Sequence, residues 1–172
     1  MRILRAFFLP TVAASILFLP VFAQEKPLSP KETVKGVVGG VVTEVVYCRP
    51  SARGRKMVGG KDPYGQVWRT GANEATTIEF DKDVLIEGKR LEEGKYALFT
   101  IPGETSWTII FNKGWKDAWG AYDYKQSDDV LRVTVKSQKP KQFVETFTIT
   151  PETDRVSLTW ENFYVAFRVK AQ

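Results

Sequence analysis

From Ala75 onward the chain is a procession of short runs rich in β-branched and aromatic residues, separated at close intervals by turn formers. The runs are Ala75 to Phe80, Val84 to Glu87, Lys95 to Ile101, Trp107 to Asn112, Val130 to Lys136, Phe143 to Thr150, Val156 to Trp160 and Phe163 to Val169. Between them lie Asp81-Lys82-Asp83, Gly88, Gly94, Pro102-Gly103, Lys139-Pro140, Pro151 to Asp154 and Glu161-Asn162. Each run is too short for a helix of ordinary length, and Leu131, Val133 and Val135 alternate with Arg132, Thr134 and Lys136. That alternation sends one face into a core and the other to water. No segment keeps a helical period, so the pattern predicts an all-β fold: an antiparallel two-sheet sandwich, jelly-roll-like, of roughly nine to eleven short strands.

Upstream, Val34 to Val38 and Val41 to Tyr47 flank Gly39-Gly40. Two β-branched runs joined by a diglycine predict an N-terminal hairpin, because glycine accepts the positive φ of a primed turn. Arg49-Pro50 ends the second strand and opens one long loop rich in arginine and glycine. At 172 residues the chain has length for one domain with a proper core. The expected organisation is a signal peptide at 1–23, a flexible arm at 24–33 and a single β-sandwich domain at 34–172.

The signal peptide is read from Arg2 and Arg5, the apolar stretch Ala6 to Phe22 and the small residues before a cut after Ala23. It implies an exported product, periplasmic or extracellular, with no integral membrane span after cleavage. The formal charge of +5, less those two arginines, is +3. A balance so small gives no reason to expect nucleic acid as a partner. The single Cys48 cannot form an internal disulfide and reads as a small buried strand residue.

The basic character is local. Tyr47 to Thr77 gathers Arg49, Arg53, Arg55 and Arg69 with Ser51, Tyr64, Asn73 and Glu74. Guanidinium groups are planar, permanently charged forks suited to carboxylate or phosphate, and an asparagine beside them adds a donor and an acceptor. A second feature is Gly114 to Tyr124, where Trp115, Trp119 and Tyr122 are spaced to share a face over a helical turn or two. These rings serve either as a cap on one end of the sandwich core or as a stacking platform, with Gly120 and Tyr124 at its rim. The predicted ligand site therefore comprises Arg49, Ser51, Arg53, Arg55, Tyr64, Arg69, Asn73, Glu74, Trp119 and Tyr124. An ion-pair network that pins the loop is the competing structural reading, and Trp68 reads as core.

Several chemistries find no support. The run Gly54 to Lys61 resembles a phosphate loop, but its lysine comes one residue late and Asp62 stands where serine or threonine should follow. The chain has no histidine, which removes serine–histidine catalysis and the usual zinc sites. Asp81 with Asp83, or Asp128 with Asp129, fall short of a calcium loop's ligand count. No cofactor and no metal are expected. Ser51 with Lys56 is a conceivable nucleophile and base, although serine after proline is a common turn former.

The strings Arg49-Pro50-Ser51, Gly54-Arg55, Pro63-Tyr64-Gly65, Val67 to Thr76 (VWRTGANEAT), Gly94 to Gly103 (GKYALFTIPG), Trp119-Gly120 and Asp129 to Arg132 together resemble the bacterial family catalogued as domain of unknown function 2911. The resemblance implies an exported all-β domain, frequently a protein's sole domain, with no established activity. It also places Cys48 where relatives are expected to carry serine or another small residue, which speaks against a catalytic thiol. The function expected from these readings is a noncatalytic module that binds an anionic or carbohydrate-like ligand through an Arg/Asn/Glu pocket. The alternatives are a hydrolase or lyase using Glu74 with arginine assistance, which would need a second carboxylate such as Asp117, Asp123 or Asp129, and an envelope scaffold that pairs through a sheet edge.

Overall fold

The structure is a computed structural model that describes residues 27–116 and 118–172. The proposed signal peptide and the first residues of the arm lie outside the described residues. Strands β1 (Lys31–Val38) and β2 (Val41–Cys48) form the predicted hairpin, in register from Lys31↔Cys48 to Val38↔Val41. Its turn needs glycine on two grounds. Gly39 has φ +56° and Gly40 φ +84°, and a Cβ on Gly39 would lie 1.9 Å from the Val169 carbonyl oxygen. The first strand starts inside the expected flexible arm, because Lys31, Glu32 and Thr33 pair with the end of β2.

The sheet continues through β3 (Thr77–Phe80), then β4 (Val84–Ile86) and β5 (Lys89–Leu91), then β6 (Gly94–Ile101), β7 (Ser106–Asn112), β8 (Asp129–Gln138), β9 (Val144–Pro151), β10 (Arg155–Glu161) and β11 (Phe163–Ala171). Hydrogen-bonded neighbours run in the order β1-β2-β3-β6-β7-β8-β11-β10-β9, antiparallel at every step, and the small hairpin β4–β5 hangs from the end of β11. The strand β5 has no counterpart in the sequence reading, since Lys89-Arg90-Leu91 is too short and too charged to stand out.

The architecture corrects the expected sandwich. One nine-strand sheet coils until its ends nearly meet, giving an almost closed barrel. Its closure is visible in the bonds. Ala52 N–H donates to the Glu145 carbonyl at 2.9 Å, Phe147 N–H donates to that of Pro50 at 2.9 Å, and Gly39 N–H donates to that of Thr153 at 2.8 Å. Pro151 Cβ would lie 3.0 Å from a Cβ placed on Gly36. Alternation along a strand shows that one face is buried, and a sandwich and a barrel share that property. What separates them is whether the first and last strands meet, a contact between residues nearly a hundred positions apart such as Ser51 and Thr146.

Inside the barrel run Val45, Ile78, Leu98, Phe111, Leu158 and Phe167, all fully or almost fully buried. The long loop after Pro50 folds back over one end. Its Ala52, Met57, Val58 and Trp68 join the core, and Trp68 exchanges backbone hydrogen bonds with Thr100 on β6 at 2.7 and 2.9 Å. The Trp68 ring stacks on Trp160 with centroids 5.5 Å apart and meets Trp107 edge-on at 6.1 Å. The buried Glu161 carboxylate accepts the N–H groups of Met57 and Val58 at 3.0 and 2.7 Å, which satisfies a charge that burial would otherwise penalise.

The aromatic stretch Gly114–Tyr124 is a loop, as its two glycines suggest, and departs from expectation in two details. It has no helical turn among its described residues; a short 3-10 turn follows it at Gln126–Asp128. It does not cap the barrel's end either. Trp115, Ala118 and Tyr124 lie against a second, smaller cluster built on Ala97, Phe99 and Ile110. Those residues alternate with core residues on β6 and β7, so the loop covers the outside of the barrel wall. No helix of the described residues is long and apolar enough to cross a membrane.

Candidate functional site

The outward-facing residues of β2, β3 and β6 make the floor of the site. Val46 pairs with Thr77, Thr77 with Ala97, and Cys48 ends β2 beside Lys31. Directly before β3 the chain turns at Asn73, whose φ is +58°, and this turn brings Glu74 over the end of β2. Above them stands the aromatic loop. Ala75 N–H donates to the Ala118 carbonyl at 3.0 Å, tying loop to wall.

The far end of that loop is fixed by a compact polar lock. Asp129 accepts from Asn112 Nδ2 at 2.8 Å, from Tyr124 Oη at 2.7 Å and from Arg132 Nε at 2.6 Å, while Arg132 Nη2 also bonds the Tyr124 hydroxyl. Asn112 Nδ2 donates to the Lys125 carbonyl at 3.0 Å and Asn112 Oδ1 accepts from Gly114 N–H at 2.8 Å. Gly120 is where the loop crosses Arg69. A Cβ there would come within 2.5 Å of Arg69 Nη1, and the backbone has φ +77°.

Between wall and loop opens a cavity of about 360 Å³. Val46, Cys48 and Thr77 lie along its floor; Trp115 and Trp119 stand on the loop side. Three ammonium groups border it, those of Lys31, Lys95 and Lys116, against the one carboxylate of Glu74. Lys95 Nζ and Lys116 Nζ lie 5.2 and 5.7 Å from the Trp115 ring centroid, within cation–π range. Trp119, by contrast, is 60 % exposed. Two lysines thus attend Trp115 while the Trp119 indole is open to a ligand.

Glu74 and Cys48 are coupled at the cavity's inner end. Cys48 Sγ donates to Glu74 Oε2 at 3.4 Å and Lys31 Nζ lies 3.5 Å from Glu74 Oε1. Burial pushes the Cys48 thiol up from its ordinary value, which keeps it protonated and a donor. Glu74 is held below the usual carboxylate range, by its own backbone N–H first and then by the Cys48 thiol and Lys31. At neutral pH the pair is a neutral thiol bonded to a carboxylate.

Of the residues singled out from sequence, Glu74 and Trp119 border this cavity, and Asn73 adjoins it as the turn residue directly before Glu74. The arginines do not: none borders it. Arg49 forms an ion pair with Glu32 at 2.7 Å and donates to the Phe147 carbonyl and Thr148 Oγ1 at 3.2 and 2.8 Å, so it straps the two ends of the sheet together. Ser51 bonds Thr146 across the same seam at 2.9 Å. Arg53 reaches the Leu28 carbonyl at 2.6 Å, and Arg55 holds the carbonyls of Ala52 and Ser51 at 2.9 and 3.1 Å. Arg69 is half-buried beneath the aromatic loop, with its Nε unpartnered. Tyr64 packs edge-on to Phe163 at 6.4 Å, and Tyr124 belongs to the polar lock.

The sequence reading missed Lys31, Lys95 and Lys116. A lysine alternating with strand residues reads as an ordinary solvated position, and only the register of β1, β2, β3 and β6 brings the first two to one face. The available signal was that Val46 and Cys48, like Ala97 and Phe99, are apolar on the face that alternation assigns to solvent.

In class, then, this is a nearly closed antiparallel barrel with a covered patch on its outer wall and a cationic, tryptophan-bordered cavity beside it. The chain belongs to the family described as protein of unknown function (DUF2911), whose model matches residues 29–169. No curated protein and no solved structure matches it.

Proposed function

We propose that this is an exported, noncatalytic binding domain that takes a small anionic ligand with an apolar or sugar-ring face in the cavity between the outer wall and the aromatic loop. The observation that carries the reading is the imbalance of charge around an exposed indole: Lys31, Lys95 and Lys116 border the cavity against Glu74 on its lining and Glu79, 3.8 Å from Lys95 Nζ, and Trp119 stands open beside them. An indole face suits a sugar ring or another planar group, and ammonium groups suit a carboxylate or phosphate. The competing enzyme reading draws no support from the site. Glu74 is held ionised, whereas a general acid or base works best with a pKa near the operating pH. Among the described residues no second carboxylate borders the cavity. Asp129 is committed to the polar lock, Asp123 accepts the Trp119 N–H at 3.0 Å, and Asp117 lies outside the described residues.

The test is a thermal-shift screen of sugar acids, aryl carboxylates and phosphorylated sugars, followed by titration of the hits. Lys95→Met and Trp119→Ala each weaken binding about tenfold or more while the barrel stays folded. Glu74→Gln strengthens binding of an anion, because it removes the opposing charge. Turnover in the wild type that disappears in Glu74→Gln would instead establish the enzyme.

A further inference from the structure

The aromatic loop is a ridge with a depression on either side. On one side is the cavity bordered by Lys31, Lys95, Lys116 and Trp119; on the other, Tyr122 shares a depression of about 420 Å³ with Lys113, Lys116 and Lys125. The ridge carries two of the largest exposed rings of the described residues, Trp119 at 60 % and Tyr122 at 91 % exposure. Five ammonium groups thus surround two rings. The acids nearby are Glu74, Glu79, Asp123 and Asp128, with Asp117 adding one more by sequence. Glu74 is engaged by Lys31 and Cys48, Glu79 by Lys95, and Asp123 by the backbone N–H of Trp119.

We infer that this ridge docks the domain onto an anionic lipid bilayer surface. Tryptophan and tyrosine suit the headgroup layer, where the ring body meets acyl chain and the N–H or hydroxyl meets water. Lysine stems lie along apolar surface while their charges reach lipid phosphates, and each contributes attraction that fades within a Debye length. A protein partner fits less well, since lysine is depleted from the cores of protein interfaces. A soluble polyanion would use the lysines and leave two exposed rings without a role. The ridge is held rigidly enough to insert, because the Asp129 lock fixes one end and the Ala75–Ala118 bond ties its middle to the wall.

The experiment is vesicle co-sedimentation of residues 24–172. All eleven strands lie within Lys31–Ala171, so this chain keeps the whole barrel and leaves out an apolar stretch that would bind lipid by itself. Binding is expected to phosphatidylglycerol-containing vesicles, with loss in high salt, and not to pure phosphatidylcholine. Brominated phosphatidylglycerol should quench tryptophan fluorescence, a signal that reports on the loop residues Trp115 and Trp119 because Trp68, Trp107 and Trp160 are buried. The triple variant Lys113→Gln, Tyr122→Ser and Lys125→Gln touches no residue bordering the small-ligand cavity. It should bind vesicles about tenfold more weakly or worse, with an unchanged unfolding midpoint and an unchanged response to cavity ligands. Lack of binding to anionic vesicles, absence of quenching, or a folded triple variant that binds as well as wild type would each overturn the inference. So would binding to dextran sulfate without binding to vesicles.

Discussion

Asp62 shows how one side chain makes stability depend on pH. It lies in the loop that closes one end of the barrel, and its carboxyl is pushed up from 3.8 to about 6, chiefly by burial and further by Glu161, with Arg69 and Arg55 opposing. Since the folded value exceeds the unfolded one, the protonated form favours the fold. That contribution is complete below about pH 4 and is lost as pH rises through about 6. Asp62→Asn should therefore leave the unfolding free energy nearly unchanged at pH 4 and raise it above pH 6, by up to about 3 kcal/mol. Urea denaturation at the two pH values checks this, and a variant equally stabilised at both would show that ionisation is not the cause. Cys48 and Glu74 work in the opposite sense: each makes a bond that suits its neighbour's charge state, so neither is poised to exchange a proton near neutrality.

At the level of single elements, the aromatic loop owes its place to a few polar contacts more than to its own sequence. Gly114 and Gly120 discourage a helix, and the stretch instead lies as an irregular cover over Phe99 and Ile110. Asp129→Ala would leave Arg132, Tyr124 and Asn112 without their shared acceptor, at a cost of about 1–3 kcal/mol. The expected result is faster hydrogen exchange across residues 113–125 with protection in β7 and β8 retained. Uniform loss of protection throughout the barrel would contradict a local role. Here the sequence was only partly informative. Two glycines and four aromatic rings announced a special loop, but its landing place depends on which faces of β6 and β7 are apolar on both sides. Ala97, Phe99 and Ile110 interrupt the alternation that Leu98 and Phe111 keep, a departure visible in the sequence only once the strands are in register. The hairpin at Gly39-Gly40 was legible for the opposite reason, since its cause is local.

On the scale of the whole molecule, barrel closure depends on Arg49 and its neighbours. A sheet with free ends would expose unpaired backbone along β1 and β9; here Pro50 to Ala52 pair with Glu145 to Phe147 and Arg49 crosses the join. Arg49→Met should lower unfolding free energy by about 2 kcal/mol, because it strands Glu32 and two acceptors on β9. Equilibrium denaturation measures it, and a loss below about 0.5 kcal/mol would mean that the backbone pairing alone closes the barrel. This also explains why the arginine-rich segment has the look of a recognition motif. Arg49, Arg53 and Arg55 are used on carbonyl groups and on one carboxylate of the chain itself, a role that composition cannot distinguish from ligand capture. The strand count, by contrast, was readable from turn spacing, while the choice between two sheets and one coiled sheet rested on contacts between the two ends of the chain.

The join between Pro50–Ala52 and Glu145–Phe147 has a temporal meaning as well as a geometric one. Its two sides are made almost a hundred residues apart, so a chain appearing from its N-terminus must carry a bare sheet margin until nearly all of it has emerged. Local hairpins can form on the way, but the enclosing step waits for the last third of the polypeptide, and topologies that depend on such distant partners acquire their native order slowly. During that interval, the unpaired β1–β2 margin is the part of the nascent chain most in need of protection from its neighbours.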